Sequence, residues 1–344
     1  MKLELAQMKA ITKGVMDVTE ENGAFVFHRL NDAQKSIYKP NTGGWRRSQA
    51  LASVHLDFET DATMLSFTAV NGWNSTAVRY FYFDLWVNDK LLYHDGFTYN
   101  ENADGTTMMR FGDWHTDLAL PAGNKRVRLY MPAICHVELM NVELNATYVR
   151  PVESKYRWLA FGDSITEAHS SVMPSMQYTE QVARAIDAEV LNQGTGGEQY
   201  MARKIVPGSY PKVDFITVAY GTNDFTHCPG REVFLREVSG FYKALHEQFG
   251  DTPVLVLLPL WRAHESKGVS FELGTLPQVR QAIRAIAEEY PANICVDCGG
   301  FIPPVYEFFA DKGLHPNALG HTFYAKSAAP GAEDIEVNKK RTGS

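Results

Sequence analysis

The feature that most constrains this chain is a change of hydrophobic period near Pro151. C-terminal to it, short continuous apolar runs recur: Trp158-Leu159-Ala160-Phe161, Val213 to Ala219 and Val254 to Leu258. They alternate with segments of helical spacing over Met176 to Ala188, Arg231 to Gln248 and Leu276 to Tyr290. Runs of strand length that are apolar at nearly every position belong to strands buried on both faces. Helices between them cover those faces, so the pattern predicts an α/β domain with a parallel sheet and crossover helices. Val190-Leu191-Asn192 and Ile294-Cys295-Val296 supply two further strands. In such sheets ligands collect beyond the carboxyl ends of the strands. Chemistry is therefore expected on the loops after Phe161, Asn192, Tyr220 and Pro259.

Before Pro151 the period is two. Val54 to Phe58 and Arg126 to Met131 alternate apolar and polar residues, and Arg79 to Val87 is rich in aromatics suited to sheet. His136 to Val149 reads as one long strand or two. Pro40 to Gly44, Asn71 to Ser75 and Asn100 to Thr106 read as turns. Short strands punctuated in this way predict an antiparallel β-sandwich, jelly-roll-like in character. The expected division is a sandwich over 1–150, the α/β domain over 151–330 and a flexible polar tail over 331–344.

Composition narrows the partners. The 344 residues are 45% hydrophobic and 21% charged, enough to bury a large core without disulfides or a structural metal. The formal net charge of -7 gives no basic surface for nucleic acid. No run of about 18 apolar residues predicts a membrane span. Met1 to Gln7 carries an early acidic residue and no apolar run of about 7–15, so a signal peptide is not expected and a cytoplasmic location is the default. Cys295 and Cys298 form a CxxC with no second pair to complete a zinc site, and no metal is expected.

Four strand-end or late segments carry candidate chemistry. Gly162-Asp163-Ser164 places a serine at a strand-to-helix turn, where it serves as nucleophile or as a plain cap. It is not the G-x-S-x-G elbow. Asn192 to Glu198 holds three glycines that allow close backbone approach, but lacks the last glycine of a dinucleotide fingerprint. Gly221-Thr222-Asn223-Asp224 offers an amide donor for an oxyanion, or an Asn-Asp cap. Asp311 to Asn317 holds His315, 151 residues after Ser164.

Together and in this order, these blocks resemble the SGNH hydrolase superfamily, the GDSL esterases, from about 155 to 328. The resemblance implies a flavodoxin-like three-layer α/β/α fold and ester hydrolysis without a cofactor. It implies that Ser164 is the nucleophile and His315 the base, with the main-chain N–H groups of Ser164 and Gly197 and the amide of Asn223 as the oxyanion hole. The family usually places an Asp three residues before the His. Here that position is Lys312, and Asp311 stands four before. Either the turn bulges so that Asp311 orients His315, or a main-chain carbonyl near Lys312 does so.

Several acetylesterases of this superfamily carry a jelly-roll domain in front, and the layout here is similar. That implies an O-acetylated oligosaccharide or another small ester as substrate. Glu198, Trp261 and Arg262 are candidate substrate contacts, each weighed against a structural ion pair, cap or core role. Trp45, Trp73, Trp86 and Trp114 are candidates to stack on sugar or to fill the sandwich core. Two other readings stay open: a lipid esterase or thioesterase of the same fold, and a carbohydrate-binding protein with an inert hydrolase fold. Exposed sandwich edge strands leave a homodimer open as well.

Overall fold

The computed structural model describes residues 1–74, 80–98, 113–263 and 273–328. The chain forms two compact units. One is Met1–Ser154 with Val172–Ser175, and the other is Lys155–Ser171 with Met176–Ser344.

The first unit is built from two antiparallel sheets. One runs in the order Thr12–Lys13, His55–Thr60, Lys125–Tyr130, Tyr80–Val87, Lys90–Thr98, with Val149–Pro151 also paired to His55–Thr60. The other runs Asp17–Glu21, Ala24–His28, Cys135–Leu144, Met64–Asn74, Asp113–Ala119. Their inner faces share one apolar core, in which the rings of Phe67 and Phe83 meet at 5.2 Å across the sheets. This is the sandwich that the period of two predicts.

Of the two readings open for His136 to Val149, the structure has two strands, broken after Leu144. Two local expectations need correction. Pro40 to Gly44 is not a simple turn, because Asn41 caps a helix over Thr42–Ser48 by accepting the Gly44 N–H at 2.9 Å. Asn71 to Asn74 extends a strand, paired with Cys135, His136 and Val137 across a bulge. There the ladder outweighs local turn preference. The expected turn from Asn100 to Thr106 and the tail over 331–344 lie outside the described residues, as does the side chain of Trp73. Trp114 stacks on Phe83 at 5.4 Å and packs against the core. Trp45 and Trp86 are half-buried.

The second unit holds five parallel strands in the order Ala188–Asn192, Tyr156–Gly162, Phe215–Ala219, Val254–Leu258, Asn293–Asp297. In chain order this is 2-1-3-4-5, the flavodoxin-like winding. Both faces are covered. On one, Trp158 stacks on Phe215 at 5.6 Å. On the other, Phe161 meets Phe241 at 5.8 Å. Phe241 belongs to helix Arg231–Phe249, whose buried Phe234, Val238, Phe241 and Leu245 form one stripe at helical spacing. Helix Tyr178–Ile186 ends sooner than its apolar pattern suggests, because Asp187 turns left-handed at φ 55° and Ala188 opens the next strand. Among the described residues, no helix is long and apolar enough to cross a membrane.

Candidate active site

The site grows from the carboxyl ends of the first three strands of this sheet. Strand Tyr156–Gly162 delivers Asp163 and Ser164. Asp163 accepts the Ile165 N–H at 2.9 Å and so closes the turn that turns Ser164 outward. Ser164 is only 5% exposed, and its Oγ lies 2.8 Å from His315 Nε2.

His315 reaches it from a late loop. Its Nδ1 meets Asp311 Oδ2 at 2.5 Å, and its main-chain N–H donates to Asp311 Oδ1 at 2.6 Å. Of the two orienting groups open from the sequence, the structure places the Asp311 carboxylate on Nδ1. The extra residue between Asp311 and His315 is absorbed by two successive left-handed residues, Lys312 at φ 55° and Gly313 at φ 97°. A Cβ on Gly313 would lie 2.8 Å from that of Ala263, so this turn has no room for a larger residue. Burial alone would raise the Asp311 carboxyl. The hydrogen bonds from the His315 side chain and main chain outweigh it, and hold the group below its ordinary value. A carboxylate on Nδ1–H leaves the lone pair of Nε2 facing the serine.

The glycine loop is stitched to the serine loop. Asn192 donates to the Thr166 carbonyl at 2.7 Å, and Glu167, fully buried, accepts the Gly196 N–H at 2.6 Å. Gly197 sits beyond these ties, exposed and at φ 80°, a conformation that favours glycine. Asn223 opens helix Thr222–His227, which the left-handed Gly221 at φ 118° starts. Its Nδ2 donates to the Glu198 carbonyl at 2.9 Å. An amide nitrogen carries two hydrogens, so this bond fixes the side chain and leaves a second donor.

Glu198, Trp261 and Arg262 each make contacts within the protein. Glu198 is 6% exposed and ion-paired to Lys204 at 2.8 Å, and it accepts from Tyr220 Oη at 3.2 Å. Arg262 Nη1 donates to the Thr222 carbonyl at 2.9 Å and to Thr226 Oγ1 at 2.7 Å, bracing the helix that carries Asn223. Trp261 packs on Phe309 at 5.4 Å. Cys295 and Cys298 are thiols, and burial pushes Cys295 up to about 11.

Sequence reasoning missed two residues that shape this site, Glu167 and His169, and the tie that Asn192 makes from its strand end to the serine loop. Glu167 and Asn192 link loops distant in sequence, and no local pattern marks those links. The ring of His169 stacks on that of His315, with centroids 4.4 Å apart and planes at 25°. Its one sequence signal is its place five residues after Ser164.

Two buried carboxyls lie close by. Burial pushes Asp163 up to about 6 and Asp224 up to about 7. Asp224 accepts the Tyr200 N–H on Oδ1, while among the described residues its Oδ2 meets no hydrogen-bond partner. A carboxyl whose folded value is raised binds its proton more tightly when folded. Its stabilising contribution is complete below the unfolded value of 3.8 and is lost as pH rises through about 7. Asp224→Asn should therefore flatten the fall in melting temperature between about pH 5 and pH 8, an effect on the order of a few kcal/mol at the alkaline end. Thermal melts across that range test this, and parallel curves for the two proteins would remove Asp224 as the cause.

Residues 160–323 match the model of the GDSL-like lipase/acylhydrolase family. Among solved structures, a salicylyl-acyltransferase from a tetracycline biosynthetic pathway is 21% identical, with TM-score 0.77 over 95% of this chain and 94% of that one. A family two carbohydrate esterase from Clostridium thermocellum is 14% identical, with TM-score 0.61 over 83% and 92%. An acetyl xylan esterase from the rumen bacterium Butyrivibrio proteoclasticus is 15% identical, with TM-score 0.51 over 84% and 90%. At these identities the shared property is the fold. No curated protein sequence matches the chain.

Proposed function

We propose that this chain, whose residues 160–323 match the GDSL-like lipase/acylhydrolase family, is a serine ester hydrolase that removes short acyl groups, above all O-acetyl groups from oligosaccharides. The observation that carries the reading is the continuous line from Ser164 Oγ through His315 to Asp311, at 2.8 and 2.5 Å.

In the proposed reaction Ser164 Oγ attacks the acyl carbon while its proton passes to His315 Nε2. The carbonyl oxygen becomes an oxyanion held by the N–H groups of Ser164 and Gly197 and the amide of Asn223. The intermediate collapses, the sugar hydroxyl leaves with the proton from Nε2, and the acyl group stays on Ser164. Water then attacks and gives its proton to His315 Nε2, which passes it to Ser164 Oγ as the acid leaves and the free serine is restored. Asp311 keeps Nδ1 protonated throughout and stabilises the imidazolium.

The preference for acetylated sugar rests on the two-unit layout. The likeness to a carbohydrate esterase and an acetyl xylan esterase supports it. Acyl transfer to an alcohol instead of water is the second reading, supported by the likeness to the salicylyl-acyltransferase. Both use the same acyl-enzyme.

The test is acetate release from acetylated xylo-, manno- and gluco-oligosaccharides, with long-chain esters, thioesters and added alcohol acceptors alongside. Acetate from the sugars supports the first reading, and an acylated alcohol supports the second. Preference for long chains would replace both with a lipid esterase. No turnover of any ester would leave a binding protein. For the oxyanion role, Asn223→Ala should lose about 10²–10³-fold in turnover. Unchanged turnover in the folded variant would take Asn223 out of the mechanism.

A further inference from the structure

The two hydrogen bonds of His315 leave one motion unrestrained. Bonds to Asp311 and Ser164 fix where the two nitrogens point, but the ring can still tilt about the line that joins them. A group pressed against one face would remove that tilt. His169 is such a group, with its ring 4.4 Å from that of His315 and inclined by 25°.

The local backbone is arranged to put it there. After Ser164 the chain turns back on itself: the Glu167 N–H donates to the Asp163 carbonyl at 3.0 Å, and the His169 N–H donates to the Ser164 carbonyl at 2.9 Å. Between them Ala168 is left-handed at φ 64° and fully buried. A residue with a Cβ is strained in that region, and such strain persists where the surroundings impose it. Here the consequence is that His169 leaves the turn directly over His315. Its Nδ1 lies 3.0 Å from Ser170 Oγ, which fixes the second ring in its plane. Offset stacking is a favoured arrangement of aromatic rings.

We propose that His169 is a positioning residue: its ring, set by the left-handed turn at Ala168, holds the plane in which His315 meets both Ser164 and Asp311. The inference rests on the esterase reading for its kinetic consequence, but the ring position can be read without any substrate.

The experiment compares His169→Ala, His169→Leu and His169→Phe with the parent protein. Misplacement of a reacting group by about 1 Å costs up to about 10²-fold. The Ala and Leu variants should therefore lose about 10–10²-fold in kcat, with KM changed by less than about 2-fold. Phe, which restores a flat ring of similar size, should return kcat to within about 3-fold of the parent. Leu fills the space without a ring face, so it separates stacking from packing.

The second readout is the proton on His315 Nδ1, observed by proton NMR without substrate. It should be far downfield and sharp in the parent and the Phe variant, and broadened by exchange in the Ala variant. An Ala variant that keeps both kcat and the sharp resonance would overturn the proposal. Equal loss in Ala, Leu and Phe would also overturn it, because the ring face would then not be the active property. If the protein turns over no ester at all, the resonance still decides the positioning role, and only the esterase reading falls.

Discussion

Ser164→Ala should lower ester turnover by about 10⁴–10⁶-fold while leaving the fold intact, the largest effect expected of any single change here. The reason lies in how few things Ser164 Oγ does. Among the described residues it makes one side-chain hydrogen bond, to His315 Nε2 at 2.8 Å, at a site 5% open to solvent. Removing it deletes the atom that would carry the acyl group, but creates only a small void. The cost to stability should stay within about 1 kcal/mol. The main-chain N–H of residue 164 survives the change, so a residual rate above water is expected from the remaining oxyanion donors. Acetate release and a thermal melt on the same preparation test this. A folded Ser164→Ala protein with parental turnover would mean that water is activated directly, and the acyl-enzyme would have to be abandoned.

Much of this architecture is legible in the sequence because burial on two faces leaves a plain mark. Val254 to Leu258 is apolar at every position and is a strand over those same residues, paired on both sides. The stripe from Phe234 to Leu245 marks its helix equally well. Ser164, Asn223 and His315 stand out for a different reason: the short blocks that hold them resemble, in content and order, those of the SGNH hydrolases. The structure brings Ser164 and His315 together across 151 residues.

The remainder depends on contacts that no local pattern encodes. Asn71 to Asn74 has the composition of a turn, and only its partners on the strand Cys135–Leu144 make it sheet. The partner of Glu198, Lys204 at 2.8 Å, is likewise set by the fold of the loop and not by a local pattern. His169 is one histidine among 11 in the sequence, and nothing short of the folded turn at Ala168 singles it out. Arg262 follows a strand end, as a pocket residue would, yet its guanidinium is taken up by Thr222 and Thr226.

The second large effect is expected at Asp311, where the chain departs from the usual family spacing. Asp311→Asn keeps the shape of the side chain and removes its charge. An amide can turn its NH2 toward His315 Nδ1, which favours the tautomer with the proton on Nε2. That proton then points at Ser164, and the base can no longer accept. In a buried triad the same change costs about 10⁴-fold. The Asp311 side chain is 42% exposed, so water can partly replace it, and a loss of about 10²–10⁴-fold is expected here. The carboxyl lies below its ordinary value in the folded protein, so its stabilising contribution is present above 3.8 and fades as pH falls through the folded value. The variant should therefore lose some stability near neutral pH and differ little from the parent in strong acid. Turnover near pH 7 and melts from about pH 3 to pH 7 test both halves. Full activity in Asp311→Asn would show that the left-handed pair Lys312 and Gly313 serves only to shape the loop, and that another group holds the base.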